Sequence, residues 1–160
     1  MKVQDFIKVM KGKMLKGAQL EEFVSKTLEV KKYIGIKEKK KLVDSIVRDC
    51  VIYEDGVFKF DEIEQYITFM MKTIAAYTNL EMSDDLEEDY DALCENNLLD
   101  VVVDTFKKEY EEVNILLQMR CGYILSANNI EAQVGKFLHE ISDKTDGLLG
   151  VLSNKFGALK

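Results

Sequence analysis

The chain contains no proline in 160 residues. Average usage of about 5% would place about eight prolines in a chain of this length. Interior proline removes a helical hydrogen bond and clashes with the preceding turn, so the α-helix is the structure that most strongly excludes it. The absence of proline therefore favours an all-α fold, and the length fits one domain that can bury its own core.

Apolar residues recur at helical spacing along most of the sequence. Leu20, Phe23, Val24 and Leu28, for example, all fall on one helix face. The pattern predicts a single compact bundle of about six or seven helices. A long helix is predicted to begin at Asp61, which has the spacing of a capping box with Glu64, and residues 98–125 are predicted to form one further helix.

One short stretch has the composition of β-structure. Residues 51–60 read V-I-Y-E-D-G-V-F-K-F, with Asp-Gly between two β-favouring triplets, which predicts a small β-hairpin. A plain loop stays open as the alternative, because an isolated hairpin is marginally stable. Residues 31–36 are predicted to be an extended connector. The expected organisation is a helical arm over 1–30, a core over 31–125 and a C-terminal helix over 126–160.

Acidic residues are concentrated in one short block. Between Glu81 and Asp91 there are seven acidic side chains and no basic one, as many as the whole net charge of −7. Ser83 is predicted to cap a helix here, because the helix dipole favours carboxylates in the first turn. The block holds more acidic residues than the start of a helix requires. This excess predicts a partner-binding acidic face made of Asp84, Asp85, Glu87, Glu88, Asp89 and Asp91.

The charge changes sign along the chain. Residues 1–50 carry a net +6, residues 51–112 carry −14 and residues 113–160 carry +1. Segments of opposite charge can attract each other within one monomer or between copies, and both possibilities stay open.

A run of lysines opens the helix predicted from residue 37. Cations at a helix N-terminus oppose the helix dipole, so an acidic group of the same chain or a bound anion is expected beside them. Arg48 is the only arginine in residues 1–50, and base reading favours arginine, so direct nucleic-acid binding is not favoured. The predicted basic face consists of Lys37, Lys39, Lys40 and Lys41.

The last segment of the chain repeats apolar residues at spacings of four and three, as coiled-coil helices do. Its glycines weaken an isolated helix by about 1 kcal/mol each. We therefore expect this segment to need a partner, either the rest of the domain or another copy. The predicted partner-binding stripe consists of Val134, Leu138, Ile141, Leu148 and Leu152.

No catalytic or cofactor-binding motif is found in the sequence. His139 is the only histidine, which leaves histidine-based nucleophilic catalysis without support. Cys50, Cys94 and Cys121 are odd in number and far apart, which predicts free thiols in a reducing compartment. We predict no catalytic residue, no metal and no cofactor.

One enzymatic alternative remains open. Carboxylates three residues apart recur in the sequence, as at Asp61 and Glu64 or Glu109 and Glu112. Magnesium prefers oxygen ligands of this kind. An all-α, Mg²⁺-dependent enzyme of the nucleotide pyrophosphatase type is therefore a second alternative to an interaction protein.

Three stretches resemble small acidic α-helical proteins encoded by bacteriophages of Gram-positive bacteria. They are K-K-Y-I-G-I-K-E-K-K-K-L-V-D-S-I at 31–46, A-Y-T-N-L-E at 76–81 and D-Y-D-A-L-C-E-N-N-L-L-D at 89–100. The resemblance covers residues 31–112. It implies a viral origin and a role as a virion part or a host-takeover factor, and it implies no site residue.

The expected function is protein–protein interaction without catalysis, in a bacteriophage structural or assembly component of the virion or head–tail type. The alternative is a phage-encoded inhibitor whose acidic face mimics nucleic acid and blocks a host protein. The expected partners are copies of the chain or other viral or host proteins, with no membrane, because no apolar stretch reaches about 18 residues. The charged N-terminus predicts no secretion signal, and the expected location is the infected host cytoplasm or the virion.

Overall fold

The computed structural model describes residues 1–13, 15–54, 57–127 and 134. Within these ranges the chain forms seven helices and one two-stranded antiparallel sheet, which confirms the predicted all-α fold with a small hairpin. The elements are α1 (Val3–Lys13), α2 (Ala18–Thr27), α3 (Ile36–Cys50), β1 (Val51–Glu54), β2 (Val57–Phe60), α4 (Glu62–Tyr77), α5 (Leu86–Glu95), α6 (Leu99–Asp104) and α7, which begins at residue 107 and is described as far as residue 127.

Helix α7 runs alongside α3 in the same direction. Near the start of both helices the Lys39 ammonium lies 2.9 Å from the Glu109 carboxylate. Further along both, the Arg120 guanidinium lies 3.2 Å from the Asp44 carboxylate. Residue numbers rise together on the two helices, so their C-terminal ends lie at the same end of the molecule.

Helix α4 runs in the opposite direction between the same neighbours. Its first turns contact the end of α7, where the Gln65 amide lies 2.9 Å from the Cys121 sulfur. Its last residue, Tyr77, donates a hydrogen bond to Glu109 near the start of α7. The hairpin therefore joins α3 to α4 at the end of the molecule where Cys121 of α7 lies, and we call this the hairpin end.

The start of α4 is fixed by the predicted cap. The Asp61 carboxylate accepts hydrogen bonds from the backbone amides of Ile63 and Glu64, both at 3.0 Å. These amides have no acceptor within the helix, so the cap stabilises the first turn. The Glu64 carboxylate accepts a hydrogen bond from Thr68 one turn later.

The predicted single helix over residues 98–125 is wrong, because the chain breaks after α6. The backbone amides of Thr105 and Phe106 donate to carbonyl groups three residues earlier, and the Thr105 hydroxyl donates to the Val102 carbonyl at 2.6 Å. This tight turn lets Phe106 enter the core, where its ring stacks on Tyr77 with centroids 5.1 Å apart. Tertiary packing outweighs the local helical pattern here.

Residues 1–30, which were predicted as an N-terminal helical arm of the single domain, form α1 and α2 and bury side chains in the core. The Phe6 and Phe23 rings stack with centroids 5.5 Å apart, and the N-terminal ammonium of Met1 donates to the Asn79 carbonyl at 2.8 Å. Periodicity alone cannot show that an amphipathic helix packs on residues far along the chain. The buried side chains from this region are Val3, Phe6, Ile7, Met10, Leu20, Phe23, Val24 and Leu28.

Candidate partner-binding surface

The hairpin carries an aromatic face that extends the core outwards. Val51 is paired with Phe60, and Tyr53 with Phe58, so these four side chains lie on one face of the sheet. Val51 and Phe60 are half-buried at the base. Tyr53 and Phe58 lie further out and are 66% and 38% exposed. Their ring centroids are 4.9 Å apart, so the two rings form a cross-strand aromatic pair above the protein surface.

Further apolar side chains are exposed at the start of α4 and near residue 125 of α7. Ile63 is 74% exposed, and Tyr66 and Leu125 are about half-exposed. Tyr66 and Leu125 line a groove of about 340 Å³ between α4 and α7, whose lining also includes Cys121. Burial raises the pKa of the Cys121 thiol, so the thiol stays protonated near neutral pH and contributes packing here.

We define the hairpin surface as these exposed residues together with the outer hairpin. Exposed apolar side chains grouped at one end of a molecule are a common mark of a protein contact site in soluble proteins. Among the described residues, both outer edges of the two-stranded sheet lack a neighbouring strand. The hairpin surface consists of Tyr53, Phe58, Ile63, Tyr66 and Leu125.

No protein-family model, no curated protein and no solved structure matches the chain.

The acidic block begins α5, but its cap differs from the prediction. The N-cap is Asp85, whose carboxylate accepts the Glu88 amide at 3.0 Å. Ser83 lies two residues earlier, where its hydroxyl accepts the Asp85 amide and donates to the Asp85 carbonyl. The prediction of Ser83 as the cap is therefore wrong. Either side chain can cap a helix, and its position relative to the first turn decides which one does.

Asp89 does not belong to an acidic surface. Its side chain is 2% exposed, and its carboxylate accepts the Ser83 backbone amide, so it holds the loop before α5 against the helix. This hydrogen bond gives the Ser83 amide an acceptor, which explains why the carboxylate turns inwards. The remaining predicted acidic residues are exposed: Asp84, Asp85, Glu87, Glu88 and Asp91.

One residue of the predicted basic face, Lys39, is buried. Lys39 is 1% exposed, and its ammonium lies 2.9 Å from Glu109 and 2.8 Å from Glu112. The Tyr77 hydroxyl donates to the same Glu109 carboxylate at 2.9 Å. Lys39 is therefore a structural residue, and the prediction that it is part of a basic face is wrong. Lys37, Lys40 and Lys41 are exposed.

We call Lys39, Glu109, Glu112 and Tyr77 the Lys39 cluster, and within it Lys39 and Glu109 both stay charged although they are buried. Burial alone would lower the pKa of Lys39, but the hydrogen bonds with Glu112 and Glu109 outweigh burial and raise it. Burial alone would raise the pKa of Glu109, but the hydrogen bonds from Lys39 and Tyr77 lower it. Burial, with the neighbouring carboxylate, raises the pKa of Tyr77. The expected acidic group beside the lysine run is therefore Glu109, from the same chain.

This cluster also bears on the charge asymmetry. It joins the basic first segment to the acidic middle segment, as does the contact of the Met1 ammonium with Glu81 at 3.3 Å. Part of the opposite charge is thus paired within one monomer. Lys39 and Glu109 lie 70 positions apart in the sequence, and no local signal links them.

The carboxylate pairs considered for magnesium have other partners. Asp61 and Asp85 cap helices, and Glu109 and Glu112 bind Lys39. In the described part of the chain, no group of three or more His, Cys, Asp or Glu side chains is arranged to hold a metal ion.

Most of the predicted C-terminal stripe lies outside the described residues, namely Leu138, Ile141, Leu148 and Leu152. Val134 is helical and 50% exposed. Among the helices that the structure describes, none is both long and apolar enough to cross a bilayer.

Proposed function

We propose that the protein acts by contact with other proteins rather than by catalysis, as a structural or assembly component of a bacteriophage. The observation that carries this proposal is the hairpin surface, where Tyr53 is 66% and Ile63 is 74% exposed. The resemblance of residues 31–112 to phage proteins supports the viral setting. The infected host cytoplasm and the virion are the locations this role implies.

The partner we propose for the hairpin surface is a second copy of the chain. A two-stranded hairpin is marginally stable in water, and a third strand or a covering layer stabilises it. An open strand edge is a template for pairing with another strand. Two hairpins related by a two-fold axis can pair their open strand edges through the same surface on each copy. The outer aromatic pair Tyr53 and Phe58 would be covered at the same time.

Sedimentation velocity of the full chain at rising concentration tests this contact. The wild type is expected to form complexes at multiples of 18.4 kDa. The double variant Tyr53→Ser/Phe58→Ser should shift the distribution to the monomer, because it removes the exposed aromatic pair. Ile36→Ser is the matched control, since Ile36 is 50% exposed at the opposite end of α3. Equal profiles for the wild type and the hairpin variant would reject the contact.

The assembly role has its own test in infected cells. Mass spectrometry of purified phage particles should find the chain at a fixed copy number per particle. Particles from cells that supply only the hairpin variant should lack the chain or fail to form. A chain that is absent from particles and does not change their yield would rule out the assembly role.

A second candidate function is inhibition of a nucleic-acid-handling protein through the acidic residues of α5. The observation that favours it is the exposure of five carboxylates over residues 84–91, which can steer the protein towards a basic groove. The test reverses Asp84, Glu87, Glu88 and Asp91 to lysine and keeps the Asp85 cap. Binding to a basic-groove target captured from infected cells should be lost, and unchanged binding would reject this candidate.

A further inference from the structure

Helix α7 exposes large apolar side chains on the side that faces away from the core. Val113 and Leu117 are buried against the bundle. On the opposite side, Ile115, Met119 and Tyr123 follow one another at spacings of four and are 57%, 68% and 68% exposed. We call these three residues the outer stripe.

The exposed side of α7 around the outer stripe carries no charge. Arg120 is the only charged residue in positions 113–127, and its guanidinium lies 3.2 Å from the Asp44 carboxylate on α3. A surface helix usually has charged residues on its outer side, so an uncharged and apolar side indicates a contact surface. The exposed residues on this side are Ile115, Gln118, Met119, Gly122, Tyr123 and Ser126.

Gly122 joins the outer stripe to the hairpin surface. It lines the groove between α4 and α7 together with Tyr66 and Leu125, and it lies one helical turn after Met119. Glycine is among the least favourable residues in a helix interior, yet a Cβ atom added at Gly122 would meet nothing within 4 Å. The part of the chain that the structure describes therefore gives no steric reason for glycine here. A glycine at this position lets the backbone of another molecule approach closely.

We propose that α7 crosses the α7 of a second copy at Gly122, within the same two-fold contact that joins the hairpin surfaces. This inference rests on the proposed self-contact and extends it. Cys121, the residue before Gly122, contacts Gln65 close to the hairpin, so one two-fold axis at the hairpin end can bring both the hairpins and the two α7 helices together. Equivalent residues meet near such an axis, where like charges repel, and the uncharged side of α7 avoids this repulsion.

The exposed apolar area supports one combined contact. A standard stable interface buries about 800 Å² on each partner. The side chains of the hairpin surface are together exposed by less than the equivalent of three whole side chains, which is roughly 500 Å² at about 200 Å² for a large side chain. The outer stripe adds nearly two more, or roughly 400 Å². The two surfaces together reach the area of a stable contact, whereas neither reaches it alone.

Replacing Gly122 by leucine tests the crossing. The open space around Gly122 accommodates a side chain within one molecule, so the circular dichroism spectrum should stay that of the folded protein. At the crossing point the leucine keeps the two helices apart, and sedimentation velocity of the full chain should show self-association weakened at least about tenfold. The matched control is Gly12→Leu, because Gly12 lies in α1 with equally open space, and this variant should sediment as the wild type does.

Cross-linking in the full chain locates the crossing directly. The variant Gly122→Cys, with the exposed Cys94 changed to Ser, should form a disulfide between two copies on mild oxidation, identified by peptide mapping. The matched control is Lys37→Cys on the same background, because Lys37 is exposed at the opposite end of α3. It should cross-link at least about tenfold more slowly, since a disulfide cannot join cysteines that the contact holds apart.

The outcomes separate this inference from the proposed self-contact. A monomeric wild type would reject both. A hairpin variant that is monomeric, beside a Gly122→Leu variant that assembles as the wild type does, would keep the hairpin contact and overturn the crossing. Equal cross-linking of the Gly122→Cys and Lys37→Cys variants, or a Gly122→Cys disulfide formed within one chain, would also overturn the crossing.

Discussion

Replacing Lys39 by methionine should destabilise the fold far more than the same change at a neighbouring lysine. Methionine fills much of the space of the lysine stem, so most of the packing is kept. The change removes the ammonium that lies 2.9 Å from Glu109 and 2.8 Å from Glu112. The perturbation is therefore mainly electrostatic, and it falls on the two carboxylates.

The two carboxylates respond differently to the loss of Lys39. The Glu112 side chain is 47% exposed, so water can solvate it and its contact accounts for less than about 1 kcal/mol. The Glu109 side chain is 9% exposed, and without the Lys39 ammonium it keeps the hydrogen bonds from Tyr77 and the Ile34 backbone but no cation beside it. Removing one partner of a buried ion pair costs about 3–5 kcal/mol, so Lys39→Met should lower the free energy of unfolding by about that amount.

Urea unfolding at pH 7, followed by circular dichroism, measures this loss. The matched control is Lys41→Met, because Lys41 is exposed on the same helix and such surface changes stay within about 0.5 kcal/mol. The double variant Lys39→Met/Glu109→Gln removes the unpaired charge and should regain at least about 1 kcal/mol over Lys39→Met alone. A loss below about 1 kcal/mol for Lys39→Met, or strict additivity in the double variant, would refute the reasoning.

Three further changes test other parts of the structure. Asp61→Ala should cost about 1 kcal/mol of unfolding free energy through loss of the α4 cap, with Glu62→Ala as a near-neutral control, and an equal effect of both would contradict the cap. Asn97 has φ 53°, so Asn97→Ala should cost about 1 kcal/mol whereas Asn97→Gly should not. Because folding lowers the pKa of Glu109, its carboxylate stabilises the fold at a pH above the pKa that it has in the unfolded chain. This stability is lost as the pH falls through the pKa in the folded state, so Glu109→Gln should flatten the loss of stability in acid titrations. An unchanged acid profile would contradict this.

Features that depend on neighbouring residues could be predicted from the sequence. The Asp-Gly hairpin and the Asp61 cap both rest on local backbone chemistry. The cap of α5 was missed by two residues, because Ser83 and Asp85 are both good capping residues and the sequence does not show where the first turn begins.

Features that depend on distant packing could not be predicted. Lys39 and Asp89 read as surface charges, and their burial depends on contacts with Glu109 and Ser83 that only the folded chain brings together. The exposure of the hairpin was missed for a related reason. Alternation in residues 51–60 predicts strands but does not show that their outer half extends beyond the core.

We propose that the protein acts through contact between copies at the hairpin surface, and the mass of the chain in solution measures this contact directly. Sedimentation velocity should show wild-type complexes above 18.4 kDa that grow with concentration and dissociate when Tyr53 and Phe58 are changed to serine. A wild type that stays at the monomer mass at every concentration, with a profile equal to that of the variant, would contradict the claim.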